Sequence, residues 1–328
     1  MSSRGHVARS VQRPTLRAKG GEGDGDMAAG TIRLGVAPIA WSNSDLPELG
    51  GATPLETCLA ESRAAGYAGT ETGVKFPMDA AVLGPILHRH GLALASGWFS
   101  GRLLELSVAE EQRRIAGQLA TFAALGAPVL VYAETTGSVQ AMQTTPISHR
   151  RRLSAGEFKV LGGKMTELAR HTQAHGVRLA YHHHMATVVE TDAEIDALMA
   201  ATGDEVGLLV DTGHAAYAGG DWLAITRRHA RRVVHVHCKD IRPAVLQQAR
   251  ARDLSFLDAI LAGVFTVPGD GFIDYDAFAR VLAEIGYSGW VVVEAEQDPA
   301  QAPPYEYALK GCVHLTGAFG RAGFTIAP

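Results

Sequence analysis

Asp211, His237 and Glu294 each stand at the end of a short apolar run late in the chain, offering one imidazole and two carboxylates. That donor set suits a divalent cation of the Mn²⁺, Co²⁺ or Zn²⁺ type and leaves positions for water or substrate. Proton-exchanging groups surround it. His182, His183 and His184 follow the fifth apolar run, His214 lies three residues past Asp211, Lys239 two past His237, and Glu296 two past Glu294. Side chains alternate across a strand, so His182 and His184 share a face, as do His235 and His237, and Glu294 and Glu296. Lys239 falls on the face of His237, where a cation and the exclusion of water are expected to lower its pKa. Lys239, His214, Glu296 and a strand-five histidine are therefore the acid–base candidates. Trp41 and Trp98 could wall the apolar face of a ring, with His184, Glu134 and Arg242 as polar contacts. Each residue also has a plain reading. An Asp before Thr-Gly commonly caps a turn or helix, and Lys239 could be ion-paired to Asp240 or Glu296.

Such residues work together only if the fold gathers them. After residue 30 the chain alternates short apolar runs with longer amphipathic stretches. The runs 32–39, 68–73, 92–97, 128–134, 177–183, 206–212, 233–240 and 290–296 read as strands buried on both faces. Stretches 53–66, 108–126 and 155–176 read as helices. Gly66, Gly91, Gly126, Gly176 and Gly286 supply helix C-terminal signals. Eight strand–helix units predict an α/β fold, a (β/α)₈ TIM barrel, whose chemistry sits at the C-terminal ends of its strands. An open doubly wound sheet binding a dinucleotide would show G-x-G-x-x-G after the first strand, and the chain does not.

Composition narrows the function. The 328 residues carry 30 Lys+Arg against 34 Asp+Glu, a net charge of −4 that argues against a nucleic-acid partner. No apolar run approaches ~18 residues, so no membrane span is expected. Three widely spaced cysteines, Cys58, Cys238 and Cys312, exclude a disulfide framework and suit a reducing, cytoplasmic setting. Residues 1–30 are polar, Gly-rich and aperiodic, and are expected to form a disordered extension ahead of a single domain over 31–328. Met27, just before the first strand, is an alternative start.

DTGH (211–214), HVHCKDIR (235–242), FTVPGDGFIDYDAF (265–278) and VVVEAEQDP (291–299) resemble the xylose isomerase-like TIM barrels. With GVAPIAWSNSD (35–45), YHHHMATVVET (181–191) and LSFLDAILAGVFTVPGDG (254–271), they are similar to the inosose dehydratase family in particular. DTGH alone is weakly specific; VPGDG and VEAEQDP are much more so. The resemblance spans about residues 31–322 and implies a hydro-lyase of inositol catabolism. It implies a small polyol ketone as substrate, Mn²⁺ or Co²⁺ as the metal, glutathione as a family cofactor, and leaves room for a homo-oligomer. It also implies metal ligation by Asp211, His237 and Glu294. Strand five usually supplies a Glu where this chain has His182, so the fourth ligand lies between His182, His184 and a water. A ketose isomerase or epimerase on the same barrel is the competing expectation. One departure is Ala186, where the family pattern has Gly.

Overall fold

A computed structural model describes residues 29–328. The expected extension over residues 1–30 thus lies almost wholly outside the described residues. Strands β1 (Thr31–Val36), β2 (Gly69–Thr72), β3 (Ala93–Gly101), β4 (Val129–Glu134), β5 (Arg178–His182), β6 (Gly207–Asp211) and β7 (Val233–Cys238) pair in parallel, in order. Two short strands, β8 (Asp240–Ile241) and β9 (Phe265–Thr266), pair antiparallel beyond β7. The eighth barrel strand, β10 (Gly289–Val293), pairs with β7 and closes onto β1 with Leu34 opposite Val291. The fold is a closed (β/α)₈ barrel. Strand β11 (Thr325–Ala327) pairs with the first half of β1, leaving β2 to pair with the second half.

Helices α1 (Leu55–Ala64), α2 (Ala80–His90), α3 (Val108–Leu125), α4 (Ala155–Ala174) and α5 (Asp192–Ala201) cover the first half of the sheet. The second half is covered by α6 (Thr212–Ala218), α7 (Trp222–Arg228), α8 (Pro243–Ala251), α9 (Phe256–Leu261), α10 (Tyr275–Glu284) and α11 (Pro304–Arg321). Capping boxes start α3 (Ser107 with Glu110), α4 (Ser154 with Glu157) and α5 (Thr191 with Glu194). The five expected terminal glycines all adopt positive φ. One continuous apolar shell lies between sheet and helices, while two smaller clusters fill the inside of the barrel around Trp290 and around Leu209. The expected strands match within a few residues at each end. The β8–β9 pair, with α8 and α9 between its strands, has no counterpart in the expected pattern, because two-residue strands show no periodicity.

That excursion is latched from inside. The Asp240 carboxylate accepts backbone N–H bonds from Ile241 at 2.8 Å, Ile273 at 3.0 Å, and Gly269 and Gly271 at 3.1 Å each. A Cβ on Gly271 would lie 2.2 Å from that carboxylate, so VPGDG needs its second glycine for the approach. The DTGH glycine has a similar cause. A Cβ on Gly213 would lie 2.6 to 2.9 Å from the Lys239 stem carbons. Gly213→Ala is expected to cost about 1–3 kcal/mol by overpacking and to lower turnover by displacing Lys239. Urea unfolding together with a rate assay checks both effects; an unchanged rate would mean that Lys239 needs no exact seat.

Candidate metal centre

The last residues of β5 and β6, the penultimate residue of β7, and the residue following β10 meet at the barrel mouth. Among the described residues, one potential ligand atom each from His182, Asp211, His237 and Glu294 lie within 4.8 Å of one another. Asp211 does two jobs. Its Oδ1 accepts the His214 N–H at 2.8 Å and caps α6, as an Asp before Thr-Gly commonly does. Its Oδ2 is buried without a hydrogen-bond partner among the described residues, 3.5 Å from His182 Nε2 and 3.6 Å from His237 Nδ1. A buried carboxylate oxygen facing two imidazoles and a second carboxylate fits a divalent cation, whose charge would offset the desolvation.

Three of the four groups are set electrostatically for that task, and the fourth, His237, would give up a proton on binding a cation. Burial pushes the Asp211 and Glu294 carboxyls up, but Lys239, with His214 beside Asp211 and His237 beside Glu294, brings both below the usual range, Glu294 to about 2. Burial lowers His182 to about 4, so its imidazole is neutral and ready to ligate. Burial also lowers His237, but Glu71 and Glu294 outweigh it and raise that imidazole well above its ordinary value. His183 turns to the other side, where its Nε2 accepts the Asp211 N–H at 3.2 Å and fixes the end of β6.

Glu71, at the end region of β2, supports the cluster from below. One of its oxygens accepts from His237 Nε2 and His235 Nε2, both at 3.0 Å, and from the Ser96 hydroxyl. Holding His237 by Nε2 leaves Nδ1 turned toward Asp211 and Glu294, the arrangement of a carboxylate orienting a metal-bound histidine. The sequence marks Glu71 only as a polar strand end; its alternation with buried Thr70 on a four-residue strand is too short a signal to assign it a role. Glu71→Gln is expected to weaken divalent-cation binding about 10- to 100-fold with the fold retained. Equilibrium dialysis against Mn²⁺ checks this, and unchanged affinity would remove Glu71 from the centre.

Lys239 lies fully buried beside the cluster. Its ammonium donates to Glu296 at 2.7 Å, lies 3.0 Å from Glu294 and 2.9 Å from His214 Nε2, and sits over the Phe265 ring at 4.9 Å. The expected depression of its pKa is reversed. Burial does lower it, but Glu294, Glu296 and Asp211 outweigh burial and hold the ammonium above the usual lysine range. A divalent cation in the centre would offset part of that attraction. Burial also lowers His214 well below its ordinary value, with His184 and Lys239 adding to the effect, so this imidazole is neutral.

A cavity of about 170 Å³ opens in front of Glu294 and Glu296, lined also by His184, Trp98, Ser100, Gln140, Asp45, Ser44 and Ile39. Trp98 meets both His182 and His184 edge-on. Three expected substrate contacts lie elsewhere. Trp41 packs under the first loop, its indole N–H donating to Glu61 at 2.6 Å. Glu134 is fully buried and accepts the Thr136 N–H at 3.1 Å, a local turn bond that draws it off the cavity. Arg242 spends its guanidinium on the Gly263 and Phe265 carbonyls, Thr266 and Asp270, bracing the β8–β9 excursion. Asp45 and Gln140 were not singled out by their spacing, since both sit on loops without periodicity.

The three cysteines are free and buried. Among the described residues no helix is long and apolar enough to cross a membrane.

Residues 59–315 match the family model described as xylose isomerase-like TIM barrel. The rhizopine catabolism protein MocC of Rhizobium meliloti is 52% identical over 297 residues, covering 90% of this chain and 91% of its own. The inosose dehydratase of Geobacillus thermodenitrificans is 42% identical, covering 88% of this chain and 98% of its own. Among solved structures, the IOLI protein with a bound zinc atom superimposes with a TM-score of 0.60 at 19% identity, covering 89% of this chain and 98% of its own. The chain is therefore an enzyme of the xylose isomerase-like TIM-barrel family, in the branch that holds MocC and the inosose dehydratases.

Proposed function

We propose that this enzyme is a metal-dependent hydro-lyase that dehydrates 2-keto-myo-inositol (scyllo-inosose) to a cyclic trihydroxy-1,2-dione in myo-inositol catabolism. The observation that carries the reading is the junction of two clusters. Glu294 belongs to the four-residue metal centre and is also 3.0 Å from Lys239, which holds Glu296 at the cavity edge. The names and the 40–43% identities of several inosose dehydratases support the substrate assignment.

The chemistry needs a proton removed beside a ketone and a hydroxyl expelled one carbon further. A divalent ion, Mn²⁺ or Co²⁺ by family resemblance, held by His182, Asp211, His237 and Glu294, would supply Lewis-acid polarisation of the ketone. Glu296 lines the cavity and is placed to take the alpha proton. Lys239 lies behind it and stabilises the carboxylate before transfer, with the neutral His214 accepting from the ammonium on its other side. His184, with its Nδ1–H donating to the Met185 carbonyl at 2.8 Å and its Nε2 3.7 Å from Glu296 at the cavity, relays the proton that Glu296 has taken to the departing hydroxyl, which leaves as water. Loss of water from the ketone then yields an enol that tautomerises to the dione. The cavity of about 170 Å³ takes the volume of about six waters at ~30 Å³ each, suiting one six-membered polyol ring. No step is assigned to glutathione.

Purified protein with Mn²⁺ and 2-keto-myo-inositol should generate dione absorbance with loss of one water, read by mass spectrometry. An isomeric ketone of unchanged mass would instead identify a ketose isomerase or epimerase, and no turnover would overturn the reading.

A further inference from the structure

Two polar side chains line the cavity without a side-chain hydrogen-bond acceptor or donor among the described residues that explains them. Gln140 is 93% buried (7% exposed), and its side-chain oxygen makes no hydrogen bond among the described residues. Buried amide oxygens are nearly always paired, so an orphan at a cavity wall points to a partner that arrives with a ligand. Asp45 lines the same cavity from the loop after β1. Burial raises its carboxyl, and its other perturbers are the charges of His184, Glu296, Glu294 and Lys239 rather than any hydrogen bond.

Neither residue is left to drift. The Asn43 side-chain oxygen accepts the backbone N–H groups of Asp45 at 2.8 Å and Leu46 at 3.0 Å, and the Asn43 N–H donates to the Leu49 carbonyl. This fixes the loop that carries Asp45. On the other side, the Val139 N–H donates to the Ala186 carbonyl at 3.0 Å, and the Met142 N–H to the Val139 carbonyl. Ala186 adopts a left-handed conformation with φ of +63°, the geometry that explains a glycine at this position in the family pattern. The strained residue thereby aims the carbonyl that anchors the Gln140 turn. Fixed backbones carrying unpaired polar ends are how a pre-organised recognition wall is built.

We infer that Asp45 and Gln140 determine which cyclic polyol the enzyme accepts, by hydrogen-bonding ring hydroxyls on the edge of the ring away from the metal centre. The inference rests on the proposed function for its substrate class. Trp98 lines the same cavity, and its indole N–H is spent on the Ser100 hydroxyl at 2.8 Å. A carboxylate accepts two hydroxyl protons and an amide both accepts and donates, so the pair reads the configuration of neighbouring hydroxyls, not merely their presence.

Binding separates this assignment from catalysis. Calorimetric titration of the Mn²⁺-loaded enzyme with myo-inositol, its scyllo epimer and a monodeoxy analogue should rank the three over at least about tenfold in Kd. Asp45→Asn and Gln140→Leu, conservative in volume, should each weaken the preferred ligand about 10- to 100-fold and flatten the ranking, with circular dichroism and Tm showing a retained fold. An unaltered ranking in both folded variants overturns the assignment, and so does a parent enzyme that binds none of the three. Should either variant fail to fold, Asp45→Ser or Gln140→Met takes its place in the same titration. If the ranking holds and flattens as expected while 2-keto-myo-inositol is not dehydrated, the proposed reaction fails and the recognition wall stands.

Discussion

Lys239→Met is expected to lower turnover by roughly 10²–10⁴-fold, the range for loss of a group that supports proton transfer, without loss of the metal. The stem carbons lie against Gly213 and the methionine chain follows nearly the same path, so packing survives. What goes is the ammonium, 2.7 Å from Glu296 and 3.0 Å from Glu294. Affinity for a divalent cation should hold or rise, because a positive charge beside Glu294 and Asp211 has been removed. A purely structural role predicts a different pattern, a lower Tm with a normal rate in the folded fraction. The pH profile adds a second readout. A carboxylate that has lost its cationic partner takes up a proton more easily, so the acid limb of kcat/KM should move to higher pH. A Lys239→Met enzyme that turns over normally with an unmoved profile would show that Glu296 needs no support from the ammonium.

The barrel was legible because its signals are long-range and redundant. Eight apolar runs separated by amphipathic stretches leave few architectures, and glycines such as Gly126 and Gly176 mark helix ends whose positive φ the structure reproduces. The convergence of Asp211, His237 and Glu294 follows from the same logic, since each ends a different strand of one barrel. What alternation along a strand does not convey is how a side chain is used once it arrives. Glu134 also ends a strand, yet its neighbour Thr136 supplies a backbone N–H that turns the carboxylate into a local brace. Trp41 and Arg242 are likewise claimed by partners distant in sequence, Glu61 and Asp270. Lys239 illustrates the electrostatic version of the problem. Its burial was foreseeable, but the sign of its pKa shift depends on three carboxylates from two other strands converging on one ammonium. Asp45 and Gln140 sit on loops, where no period exists to read, and only the folded chain brings them to the same cavity.

Glu294→Gln is expected to weaken binding of Mn²⁺ or Co²⁺ by at least about 10- to 100-fold, since even groups that only support a ligand cost that much. Treatment of the parent enzyme with a chelator should abolish activity, and either ion should restore it. Glu294 is the cleanest member of the cluster to change. Asp211 also caps α6 through its second oxygen, so its removal would add a folding cost of typically ~1 kcal/mol to any loss of metal. His182 packs against Trp98 and four other histidine rings, where truncation leaves a cavity. Gln at position 294 keeps the volume and the hydrogen-bonding reach toward His237 Nδ1, now 3.0 Å from the carboxylate, and removes only the charge. A retained Tm with reduced metal content therefore isolates ligation from folding. His237→Ala should lose metal similarly, and Glu71→Gln should fall between it and the parent, because Glu71 acts through His237. If Glu294→Gln holds Mn²⁺ as tightly as the parent in equilibrium dialysis with elemental analysis, Glu294 is not a ligand and the four-residue centre must be redrawn without it.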